Sequence, residues 1–223
     1  KTCEIGTYRG NDDVDLKTCI DCPIGYQTKQ SGSASCFECS AGKAGDGCKS
    51  CQVGTYRGND DVDLTTCIDC LSGYFSETTE QPFCLPCGAG TFTKQPKSTE
   101  CISCPVGYEQ KEKRQTSCVS CTVGKYNNEI GASQCKSCPP QSTTKKKGAI
   151  SDDSCVCDKD YYARRDKNSK DLTRLNQNNL QCVMCAPNSK TLTTGASNSS
   201  FCYCQNDYWK PPDGKECLIC PAN

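Results

Sequence analysis

Cysteine recurs along this chain with a fixed period, and that period leaves room for few folds. Cys67, Cys84, Cys101, Cys118 and Cys135 are spaced by seventeen residues. A partner follows each one three positions later, at Cys70, Cys87, Cys104, Cys121 and Cys138. A short fixed period is the mark of tandem repeats in which each repeat packs mainly on its neighbours.

The repeats have little else to hold them together. Leu, Ile, Val and Phe supply only 30 of 223 residues, too few for the apolar core that a chain of this length ordinarily buries. The 25 cysteines are the available substitute, and that density is typical of disulfide scaffolds. Disorder is the other reading of low apolar content, but it usually accompanies high net charge. Here 26 basic residues balance 26 acidic ones, which also argues against a nucleic-acid or anionic-membrane surface.

A regular cysteine ladder persists as disulfides only in an oxidising compartment, so the expected location is extracellular, secreted or at the cell surface. No apolar run approaches the ~18 residues that cross a bilayer. The chain opens at Lys1-Thr2-Cys3 with no charged-then-apolar leader and closes at Cys220-Pro221-Ala222-Asn223, inside the pattern at both ends. The expectation is a segment of a longer protein.

One repeat reads CxxGxY or CxxGY, a polar stretch, then CxxC. It opens at Cys3 with Gly6 and Tyr8, at Cys22 with Gly25 and Tyr26, and at Cys51 with Gly54 and Tyr56. It continues at Cys70 with Gly73 and Tyr74, Cys87 with Gly90 and Phe92, Cys104 with Gly107 and Tyr108, and Cys121 with Gly124 and Tyr126. The glycine permits a tight turn, and the aromatic is expected to lie over the disulfide as a small buried patch. Strands of two to four residues follow, giving a predicted elongated rod of short β-hairpin and loop units with little helix and no conventional hydrophobic core. Gly6 to Leu16 reappears identically at Gly54 to Leu64, as expected of a recently duplicated structural block rather than an active site.

After Cys138 the pairs become CxC at Cys155/Cys157 and Cys202/Cys204, alternating with CxxC at Cys182/Cys185 and Cys217/Cys220. Residues 1–140 are therefore read as tandem CxxGxY repeats and 141–223 as variant repeats with one enlarged loop, 157–182. In that loop Ser169-Lys170-Asp171-Leu172 can begin one helical turn, with Leu175 on the face of Leu172.

Sequence alone leaves connectivity open. The economical scheme closes the second cysteine of each pair on the first of the next. It predicts Cys3–Cys19, Cys22–Cys36, Cys39–Cys48, Cys51–Cys67, Cys70–Cys84 and Cys87–Cys101, then Cys104–Cys118, Cys121–Cys135, Cys138–Cys155, Cys157–Cys182, Cys185–Cys202 and Cys204–Cys217. Cys220 is left unpaired or intermolecular. Each closed loop of about 15 residues contributes ~3 kcal/mol in the chain-entropy model, so cross-links can replace a core.

The CxxGxY-loop-CxxC repeat over residues 3–138 resembles the ephrin-receptor-like cysteine-rich repeats and the first loop of tumour necrosis factor receptor modules, both in the growth-factor-receptor cysteine-rich and EGF-like group. The later CAPNS…CxC…YW…CxxC units resemble repeats of large surface proteins of algae and protists. The resemblance implies architecture and an extracellular setting. The two interlocked bonds that complete a tumour necrosis factor receptor module are not visible, which weighs against a receptor.

Cys67-x2-Cys70 with Cys84-x2-Cys87 has zinc-ribbon spacing, but the chain lacks histidine and its pairs run on without dividing into four-ligand sets. A redox CxxC needs a βαβ context that is absent. Without histidine or a nucleophile motif, no catalytic residue and no cofactor is expected. Asn11-Asp12-Asp13-Val14-Asp15 and its copy Asn59-Asp60-Asp61-Val62-Asp63 offer oxygen ligands but lack the EF-hand glycine and glutamate, so they read as solvated acidic loops. The basic runs Lys111-Glu112-Lys113-Arg114 and Lys145-Lys146-Lys147 read as solvated loop faces. Asn198-Ser199-Ser200 is the N-glycosylation sequon. Tyr161, Tyr162, Tyr208 and Trp209 are expected to cover disulfides rather than serve as binding anchors.

These features predict an extracellular structural protein, part of a larger surface protein or a self-assembling fibre. Its expected partners are copies of itself, other extracellular proteins and glycans. The alternative is a ligand-binding receptor or adhesin ectodomain.

Overall fold

A computed structural model describes residues 2–10, 18–165, 180–212, 214 and 216–220. The acidic stretch 11–15 and the suggested helical turn at 169–175 lie outside them. The chain divides into two compact units: 1–103 with 112–117, and 104–111 with 118–223. Each is built from two-stranded antiparallel hairpins, one per disulfide loop. Strands are two or three residues long, except for the five-residue pair Tyr161–Arg165 and Leu180–Met184. Among the described residues, helix is confined to 3₁₀ turns at Asp152–Ser154 and Ser199–Phe201. This is a small disulfide-rich repeat fold.

Every hairpin starts with the same turn. The residue three after the opening cysteine has positive φ, as at Gly42 (78°), Gly73 (85°) and Gly107 (81°). Its carbonyl accepts the N–H of the cysteine that closes the hairpin: Cys70 N–H on Gly54 and Cys121 N–H on Gly107, each at 2.9 Å. An i to i+3 bond such as Tyr74 N–H on Leu71, 3.0 Å, completes a turn whose third residue must be left-handed, which is why glycine recurs there. Where the motif changes after Cys138, Gln141 (56°), Asp160 (70°), Asn188 (60°) and Asp207 (71°) hold that conformation. Asn and Asp tolerate it better than other side chains.

Successive hairpins are sewn together by a second left-handed residue, placed in the loop of the following repeat. In the first unit Gly32, Glu80, Lys97 and Arg114 donate their N–H groups to the carbonyls of Cys3, Cys51, Cys70 and Cys87, at 2.7–3.0 Å. In the second unit Gly131, Gly148 and Gly195 donate to Cys104, Cys121 and Cys157 at 2.8 Å.

Among the described residues the buried interior is sulfur and polar side chains, with only Ala44 and Ala196 besides. Cys70, Cys87, Cys104 and Cys121 have no exposure. Three residues after the left-handed turn glycine come Thr28, Arg57, Ser76, Thr93, Gln110 and Asn127, all buried; Thr144 and Thr191 hold the same place after Gln141 and Asn188. Such groups are buried without penalty only when hydrogen-bonded. The hydroxyls of Thr28, Thr93, Thr144 and Thr191 accept the turn N–H of the preceding repeat, from Gly6, Gly73, Gly124 and Asp160, at 2.7–3.1 Å. The aromatics expected to form the buried patch are only half-buried, and Tyr108 is 40% exposed. A strand two residues long has no opposing sheet to cover a ring, so the enclosed space goes to small polar groups that bond to backbone.

Candidate interaction surface

The cysteines are consumed by the scaffold. The structure bonds Cys3 to Cys19, Cys22 to Cys36, Cys39 to Cys48, Cys51 to Cys67, Cys70 to Cys84 and Cys87 to Cys101. It also bonds Cys104 to Cys118, Cys121 to Cys135, Cys138 to Cys155, Cys157 to Cys182, Cys185 to Cys202 and Cys204 to Cys217. Cys220 is an exposed thiol whose N–H bonds to the Asp207 carbonyl, the place of a hairpin-closing cysteine. Among the described residues no group of three or more Cys, Asp or Glu is arranged to hold a metal ion.

The acidic loop 59–63 satisfies itself locally. The Gly58 N–H donates to Asp61 Oδ2 at 2.6 Å, and the Thr65 N–H to Asp63 Oδ1 at 2.8 Å. The Thr65 hydroxyl and then the Thr65 N–H hold the Asp63 carboxyl below its ordinary range. A hydrogen bond to Glu129 raises Lys136 in the same way. Asn198 is exposed and accepts the Ser200 N–H at 2.9 Å, capping the second 3₁₀ turn. Tyr161, Tyr162 and Tyr208 are half-buried, and Trp209 is 44% exposed.

One buried residue had no sequence signal beyond its duplication. Arg57 sits where other repeats place Ser, Thr, Asn or Gln, and it is 1% exposed. The repeat before it, Cys39–Cys48, has the shortest loop, its cysteines nine positions apart. The Arg57 guanidinium crosses into that repeat and donates to the carbonyls of Cys39, Lys43 and Ser40, the last at 3.2 Å. Its duplicate Arg9 turns instead to its own loop, donating to the Thr18 carbonyl.

Several apolar side chains are left outward. In the first unit, strand pairing sets Tyr8 against Ile20, Tyr56 against Ile68, Phe75 against Leu85 and Phe92 against Ile102, and each second member is exposed. Tyr56, Leu71, Tyr74, Phe83 and Cys84 enclose an open apolar depression of about 270 Å³ in that unit. Charge divides between the units. The residues of the first carry 11 Lys and Arg against 15 Asp and Glu; those of the second carry 15 against 11.

Residues 61–100 and 112–155 match the family model described as tyrosine-protein kinase ephrin type A/B receptor-like. No curated protein matches the chain at a significant level. The twelve disulfides and the matched repeats place the chain with extracellular cysteine-rich proteins. Among the described residues no helix is long and apolar enough to cross a membrane.

Proposed function

We propose, for a chain that carries ephrin-receptor-like cysteine-rich repeats over residues 61–100 and 112–155, a structural role outside the cell: a non-catalytic, disulfide-stapled segment of a larger surface protein that assembles into a fibre. One observation carries this reading. Within each compact unit, buried threonines bond the preceding repeat, as Thr93 holds Gly73 and Thr144 holds Gly124, so the fold invests enclosed chemistry in continuity. The duplicated block of residues 6–16 and 54–64 fits a part that lengthens by copying, and the absence of histidine fits a role without acid–base catalysis. An N-glycan on exposed Asn198 belongs to the same reading.

Negative-stain imaging of the native material tests it. Regular fibres of cross-linked repeats are expected, and discrete particles bound one-to-one to a second protein would overturn it. The second reading, a receptor or adhesin ectodomain, draws on the receptor-like description of the family and on the open depression beside Phe83.

A further inference from the structure

We propose that the apolar depression of the first compact unit seats the second compact unit of another copy of this chain, giving a head-to-tail contact. The inference rests on the assembly reading above and names its interface. Leu71 and Phe83 are 73% and 57% exposed and share one depression with Tyr56 and Tyr74, so they form a contiguous apolar patch rather than scattered side chains.

Acidic residues lie beside the depression. Gly58, whose N–H bonds to Asp61, lies against the Pro82 carbonyl; a methyl group on it would come within 3.6 Å of that oxygen. This places the loop with Asp60 and Asp61 beside Phe83, and the fully exposed Val62 stands at its tip. Asp69 is two residues before Leu71 and faces Lys97 at 3.6 Å. Arg114 stands over the Tyr74 ring at 5.8 Å and, with Lys97, is a cation of this face.

The second unit supplies the complement. It has four more cations than anions, and its exposed Lys145-Lys146-Lys147 run is followed by Ile150, 56% exposed. An apolar side chain among lysines matches apolar side chains among aspartates. At physiological salt the attraction acts only over about 8 Å, so it selects partners at contact. The two surfaces differ, so the contact is heterologous: each copy keeps one open acidic face and one open basic face, and association propagates.

The test uses the full chain carrying Cys220→Ser, which removes covalent linkage through that thiol. Sedimentation should show concentration-dependent oligomers at about 50 mM salt that dissociate at about 500 mM. Leu71→Glu/Phe83→Glu and Lys146→Glu/Lys147→Glu alter exposed side chains, and disulfide mapping checks that both variants keep the parent bonds. Each alone should associate at least tenfold more weakly than the parent. An equimolar mixture should form a dimer and stop there, because the first retains an intact basic face and the second an intact depression. If the parent assembles but either variant alone assembles equally well, or the mixture stays monomeric, this interface is wrong and the assembly reading survives. A parent that is monomeric at about 100 µM overturns both.

Discussion

Gly73 lies directly against the carbonyl of Arg114: a methyl group on Gly73 would sit 2.4 Å from that oxygen. The same approach recurs between Gly54 and Lys97, 2.4 Å, and between Gly107 and Gly148, 2.6 Å. The turn glycine thus serves two ends, the left-handed conformation of its own hairpin and passage for a loop from two repeats further on. Gly124 has φ +85° but open space, with nothing nearer than the Thr143 hydroxyl at 3.7 Å.

Gly73→Ala and Gly124→Ala should therefore differ. Alanine at positive φ costs roughly 1–2 kcal/mol at either site, and the backbone clash at Gly73 adds about 1–3 kcal/mol. Guanidinium midpoints and the yield of correctly bonded protein measure the gap. Equal losses would show that the loop of Arg114 moves aside freely.

Thr93→Val keeps the side-chain shape and removes the acceptor of the Gly73 N–H. Because that N–H also reaches the Thr93 carbonyl at 3.1 Å, the loss should be about 0.5–1.5 kcal/mol. Faster hydrogen exchange at the Gly73 amide, with distant amides unchanged, is the expected signature.

Arg57→Met should cost about 2–4 kcal/mol, since carbonyls of Cys39, Ser40 and Lys43 lose their donors in a buried place. Limited proteolysis should then cut the 39–48 loop first. Arg9→Met, at a half-buried position bonded within its own loop, should cost less than half as much in the same denaturation experiment.

Asp63 gives the stability a pH dependence of known sign. Its folded-state value lies below the reference of 3.8, so its contribution is fully present above that reference and disappears as pH falls through the lower folded value. Thr65→Val removes the larger cause and should bring the Asp63 titration back toward 3.8, read from its carboxyl carbon shift. An unmoved titration would assign the shift to the backbone bond.

Reduction should abolish the fold, because most of the buried apolar residues are disulfide-bonded cysteines, with Cys70, Cys87, Cys104 and Cys121 wholly unexposed. Far-ultraviolet circular dichroism melts with and without dithiothreitol make the comparison. A cooperative melt that persists under reducing conditions would mean the polar column can hold the hairpins unaided.

The architecture was legible in the cysteine period and the glycine that follows each opening cysteine. Both are local: a closed loop of about fifteen residues and a left-handed third turn position demand hairpins with very short strands, whatever the neighbouring repeats do. The change of motif after Cys138 was legible as well, but its meaning was not. Gln141, Asp160, Asn188 and Asp207 hold the same turn that glycine holds earlier.

Tertiary structure alone decided what fills the interior. Thr93, Asn127 and Arg57 read as ordinary loop polars in sequence, because their partners are backbone groups of the preceding repeat: the Gly73 N–H, the Tyr108 carbonyl, the carbonyls of Cys39 and Ser40. A residue type does not reveal which distant carbonyl or N–H needs it. The half-buried aromatics and the depression beside Leu71 and Phe83 have the same origin. Local pattern determined the hairpin; the stacking of one hairpin on the next decided which side chains were enclosed and which were left outward.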